Sequence, residues 1–85
     1  MKLNVSFSAL RIEAAKMNGL EGLVNELRNQ KVAFNQGLDI ASAYTRECGG
    51  AVEEQGEGVV RLTVSGFSVD CFQPYSDIDV FYFEY

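Results

Sequence analysis

The 85-residue chain contains no histidine and no tryptophan, a single proline and two cysteines. Each shortage excludes something. Without histidine there is no Ser-His-Asp or Cys-His nucleophilic machinery, and the commonest general base near neutral pH is missing. Cys48 and Cys71 are too few for a disulfide framework or a cysteine zinc site, so both are read as small apolar core residues. Apolar runs are interrupted well short of the ~18 residues of a membrane-spanning helix. Lys2 is not followed by the apolar stretch and cleavage site of a signal peptide. The expectation is therefore a cytoplasmic protein with no membrane association. Glycine clusters are also missing where a phosphate cradle needs them. Gly49-Gly50 and Gly56-Glu57-Gly58 precede strand-like segments and offer an anion no helix N-terminus, so they are read as turns and no cofactor is expected.

Positive charge is scarce in one part of the chain. Residues 1–31 carry Lys2, Arg11, Lys16, Arg28 and Lys31 against Glu13, Glu21 and Glu26, a net of +2. Residues 32–85 carry only Arg46 and Arg61 against Asp39, Glu47, Glu53, Glu54, Glu57, Asp70, Asp77, Asp79 and Glu84, a net of −7 within an overall −5. Phosphates are repelled by such a surface, so direct nucleic-acid binding is disfavoured and a partner with a basic surface is favoured.

What is present is enough apolar residue, 47%, to build a packed core. The length accommodates one domain, residues 1–85, and a partner or self-association adds to the stability of so small a core. Leu3, Val5 and Phe7 alternate with Lys2, Asn4 and Ser6, the pattern of a short strand. Ser6 and Ser8 are N-cap residues for a helix over about 8–17 that Asn18-Gly19 stops. Leu20, Leu23, Val24 and Leu27 mark a second helix over about 20–29, weakened by roughly 1 kcal/mol at Gly22. Residues 30–37 permit a short strand. Asp39 is placed as the cap of a third helix from Ile40 to Cys48, ended by Gly49-Gly50.

After Gly50 the apolar period falls from 3.6 to 2. Strands are expected at Ala51–Glu54, Val59–Val64, near Phe67–Phe72 and at Asp77–Glu84, joined by turns at 55–58, Ser65-Gly66 and 73–76. The fold class is α+β, with two or three short helices on one face of an antiparallel meander of about four strands. Val60, Leu62, Val64, Phe67, Val69 and Cys71 form its core face.

The last strand is apolar on both sides, with Ile78, Val80 and Tyr82 on one and Phe81, Phe83 and Tyr85 on the other. Two readings stand. In one, Phe72, Phe81, Phe83 and Tyr85 form an exposed aromatic patch fringed by Asp70, Asp77 and Asp79, a protein interface. In the other, the chain curls and both faces are inside, or Phe81 and Phe83 face the helices and only Tyr82 is exposed. Glu53, Glu54 and Glu57 extend the acidic character, and with Asp70, Asp77 and Asp79 they resemble a phosphate mimic for a basic groove.

Ser76-Asp77-Ile78-Asp79-Val80 is similar to the metal-binding strand of the nucleotidyltransferase superfamily. That resemblance implies Asp77 and Asp79 on one strand face sharing Mg²⁺. The family's upstream Gly-Ser pair appears here reversed, as Ser65-Gly66 before a strand, and no later strand supplies its third carboxylate. The leading expectation is a non-enzymatic protein-binding module without metal or cofactor, of the kind that bacteria, phages or mobile elements encode to inhibit or regulate another protein. Its contacts are expected at Phe72, Asp77, Asp79, Phe81, Phe83 and Tyr85, with Glu53, Glu54 and Glu57. The alternatives are a homo-oligomeric assembly subunit, a dimer through the sheet included, and a metal-dependent nucleotidyltransferase-like fragment.

Overall fold

A computed structural model of the chain describes residues 8–85, so the strand expected over residues 1–7 lies outside the described residues. Helix α1 (Ala9–Ala15) runs into a 3-10 turn (Lys16–Asn18), followed by α2 (Gly19–Asn29) and α3 (Phe34–Glu47). Four strands follow: β1 (Ala51–Gly56), β2 (Val59–Val64), β3 (Phe67–Phe72) and β4 (Tyr82–Glu84). They form one antiparallel sheet in the order β1-β2-β3-β4. The architecture is α+β, helices first and meander second, as the change of period at Gly50 predicts.

The first helix begins where local chemistry says it should, and the helical run through the 3-10 turn ends at Gly19. The Ser8 hydroxyl accepts the Arg11 N–H at 3.3 Å, an N-cap bond, and Gly19 reverses the chain at φ 79°. Leu20, Leu23, Val24 and Leu27 are all buried along one face of α2. Gly22, a weak point on propensity alone, has a packing reason. A Cβ there would stand 2.7 Å from the Ala15 carbonyl oxygen, so the glycine lets the end of α1 lie against α2.

Helix α3 departs from expectation. It starts at Phe34, and Asp39 is an exposed residue inside it instead of its cap. The cap comes from elsewhere: the Phe34 N–H donates to Asp79 Oδ1 at 3.0 Å, across 45 residues of sequence. Gly37 lies inside the helix, and a Cβ there would stand 2.7 Å from the Phe81 Cβ and 2.8 Å from two of its ring carbons. The residue is small so that Phe81 can pack flush on the helix. No strand forms over 30–37. Val32 is buried in an extended link, and its carbonyl accepts the Phe81 N–H at 2.8 Å. The far end of α3 is as expected, with Gly49 at φ 77° and the Gly50 N–H returning to the Thr45 carbonyl at 2.8 Å.

Both tight hairpins have positive φ at their two central residues, 54° and 81° at Glu57-Gly58 and 53° and 84° at Ser65-Gly66, as a type I′ turn requires. Gln55 and Gly56 belong to β1, where the register shifts between Glu54 and Gly56. The fourth strand is much shorter than the expected Asp77–Glu84. Tyr75 to Ile78 form a turn, and the chain then leaves the sheet so that Asp79 and Phe81 can bond to the start of α3 and to Val32. Those bonds take backbone groups that a longer β4 would have offered to β3.

The helices lie on one side of the sheet. Leu62 faces Val69 across β2 and β3, Cys71 faces Phe83 across β3 and β4, and all four are buried. With Ile12, Leu20, Leu23, Val24, Leu27, Val32, Ala41 and Phe81 they form the core, flanked by half-buried Val60, Val64 and Phe67. The expected core face of β2 and β3 is the observed one. Cys48 is not part of it. Cys48 is exposed at the end of α3, where its backbone N–H makes the C-cap bonds, while Cys71 is fully buried and its thiol is pushed up to about 12 by burial first and by Asp70 second.

Candidate functional site

Among the described residues the sheet's second face carries no helix, and its side chains fall into rows set by strand register. One row is charged on all four strands: Glu53 faces Arg61, Arg61 faces Asp70, and Asp70 faces Glu84. Arg61 clamps Asp70 through two bonds of 2.8 and 3.2 Å. That clamp holds the Asp70 carboxyl below the usual carboxylate range, against the upward push of its partial burial. On one side of this row Thr63 and Ser68 share a 2.8 Å hydroxyl contact. On the other, Phe72 faces Tyr82 with ring centroids 5.7 Å apart and planes at 76°.

Beyond Phe72 and Tyr82 the row opens into a groove of about 520 Å³, lined by Phe72, Pro74, Tyr75, Ile78, Val80, Tyr82 and Glu84. Tyr75 and Ile78 on its rim are 63% and 46% exposed. The turn that builds it is held by Gln73, whose amide donates to the Ile78 carbonyl at 3.0 Å. Glu84 is the one charged side chain among the lining residues, and among the described residues it has no ion-pair partner.

The expected aromatic patch is divided between the two faces. Phe72 is on the open face. Phe81 and Phe83 are 1% and 3% exposed and belong to the core, so they cannot serve as surface anchors. Tyr85 is exposed, but it too turns to the helix side: its ring meets Phe67 and Phe83 at 5.6 and 5.7 Å, and its hydroxyl donates to Glu21 at 2.9 Å. That hydrogen bond raises the tyrosine's pKa above its ordinary value, with burial a lesser cause. Arg28 of α2 lies over Phe83, 4.6 Å from the ring centroid, and 5.9 Å from that of Tyr82.

The acidic candidates do not form one surface. Glu53 is on the open face, Glu54 pairs with Val60 on the opposite side of β1, and Glu57 is in the hairpin turn. Two strands separate β1 from β4, so Glu53 and Glu84 stand about 14 Å apart. Asp77 is exposed in the turn before β4, while Asp79 is engaged in capping α3. Neither lies on a strand, so the shared face implied by the nucleotidyltransferase likeness is not formed. Among the described residues, no group of three or more His, Cys, Asp or Glu side chains is placed to hold a metal ion.

Tyr75, Pro74, Ile78, Val80, Tyr82 and Glu84 are the groove residues that interface reasoning from sequence passed over. A signal was present, since Ile78, Val80 and Tyr82 alternate on one side, but alternation does not tell which side the helices cover. Comparison with protein families, with curated proteins and with solved structures finds no match to this chain.

Proposed function

We propose that the chain is a non-enzymatic protein-binding module, a cytoplasmic inhibitor or regulator of another protein, and that it docks through the open face of its sheet. The observation that carries this reading is the apolar groove floored by Phe72 and Tyr82, with Tyr75 and Ile78 exposed on its rim. Aromatic and aliphatic side chains gathered in a concave site on an otherwise polar face are the usual anchors of protein recognition. On one side of them lies the charged row from Glu53 to Glu84.

The chemistry of the partner follows from charge. The open-face row holds three carboxylates against one guanidinium, so a basic protein surface is favoured and nucleic acid is repelled. A second copy fits less well, because each chain carries a net −5 and would bring the same excess of carboxylates to the contact. Ile78→Asp puts a charge on the rim without touching the core. Paired affinity capture from the native host with wild type and this variant, both checked for native circular dichroism, tests the reading. A protein held by wild type and lost with Ile78→Asp is expected. Equal capture by both would remove the groove from the account.

A further inference from the structure

We propose that the groove receives an arginine side chain of the protein partner, its guanidinium flat against an aromatic ring and paired with Glu84; this rests on the docking reading above and specifies its central contact. Four features lead there. The first is an unbalanced pair. Glu84 faces Asp70 directly across β3 and β4, and like charges in that position repel. Asp70 is already held by both arms of Arg61, whereas Glu84 has no cation among the described residues. A cation arriving at Glu84 would continue the alternation of sign that runs from Glu53 through Arg61 to Asp70.

The second feature is the aromatic wall. Phe72 and Tyr82 meet edge to face, 76° between planes, an arrangement that does not close both rings against each other and leaves π surface for a third planar group. Tyr75 supplies another exposed ring on the same rim. The third is the apolar lining of Pro74, Ile78 and Val80, which suits the methylene stem of a long cation. At about 520 Å³ the groove falls within the range of concave recognition sites, with room for the residues beside the anchor.

The fourth feature separates arginine from lysine. A guanidinium stacks on a ring and forks onto a carboxylate at once, while an ammonium is a point charge that stacks poorly. Both halves of that chemistry occur in this protein: Arg28 of α2 lies 4.6 Å from the Phe83 centroid, and Arg61 forks onto Asp70. Arg28 itself does not serve Glu84, since it donates to Asn25 at 2.7 Å and makes no ion pair among the described residues.

The test uses three blocked peptides, acetyl-Ser-Leu-Xaa-Tyr-Ser-amide with arginine, lysine or citrulline at Xaa, titrated into the isotope-labelled full chain and followed by amide chemical shifts. Citrulline keeps the planar shape and removes the charge. The arginine peptide is expected to shift Phe72, Ile78, Tyr82 and Glu84, and to bind about tenfold more tightly than the citrulline peptide, with lysine between them. Glu84→Gln should weaken the arginine peptide by a similar factor and leave the citrulline peptide unchanged. Several results would overturn the inference: equal binding of arginine and citrulline, a Glu84→Gln effect shared by both or absent from both, or no groove shift up to about 5 mM peptide. Arg46 is exposed near the end of α3 and makes no ion pair among the described residues, so self-association of the protein that is abolished by Arg46→Gln would also overturn it, by making the donor a second copy. Equal binding within the groove would end the arginine assignment alone, whereas equal capture by wild type and Ile78→Asp is what would end the docking reading.

Discussion

Phe81 and Tyr75 are both aromatic residues of the segment between β3 and β4, yet they have opposite fates, and mutation separates them. Phe81 is sealed between Gly37 of α3 and the core, so Phe81→Ala should cost about 3–5 kcal/mol in urea unfolding. Tyr75→Ser should change stability by no more than about 0.5 kcal/mol. Gly37→Ala drives a methyl into the Phe81 ring and should cost about 1–3 kcal/mol although alanine is the better helix former. The sequence places Phe81 and Phe83 on one side of the strand and Tyr82 on the other, but both sides are apolar there. Burial was decided by Gly37 and Val32, which strand periodicity does not register.

The two thiols make a second contrast among residues. Cys48 is exposed and should react with a disulfide reagent in the native protein, while Cys71 should react only after unfolding. Burial raises the Cys71 thiol to about 12, above the roughly 8.5 of an unfolded cysteine. The sign follows by linkage: the stability contributed by the neutral buried thiol is complete below about pH 8.5 and is lost as pH rises toward 12. Between pH 8 and pH 10.5 the urea midpoint of wild type should therefore fall further than that of Cys71→Val.

At the level of elements, legibility depended on whether the stop and start signals were local. The Ser65-Gly66 and Glu57-Gly58 turns, the Ser8 cap and the Gly49 stop lie in the residues they organise, and each was readable or nearly so. The start of α3 and the length of β4 were not, because one bond joins them across 45 residues. Asp79→Ala should cost about 0.5–2 kcal/mol and speed amide exchange in the first turn of α3. Asp39→Ala, at the residue that looked like the cap, should stay within about 0.5 kcal/mol. Equal effects of the two substitutions would contradict this assignment. The same long-range bond draws residues 79–81 off the sheet and so creates the groove, which is why the candidate site was less legible than the fold.

Among the described residues as a whole, the helices cover one face of the sheet and none covers the other, which has an apolar groove at one corner and an excess of carboxylates beside it. No helix among the described residues is long and apolar enough to cross a membrane. The net charge of −5 and the repeated carboxylates of the open face oppose self-contact, so light scattering should report a monomer that does not change with concentration. A dimer that dissociates in high salt would run against that expectation, since screening should relieve the repulsion instead.

The most direct measurement is photo-cross-linking in the native host with a benzophenone amino acid at position 75, on the groove rim, or at position 10, an exposed site on α1. The account predicts a covalent adduct with another protein from position 75 and none from position 10. Adducts from position 10 alone would place the working surface on the helices and contradict it.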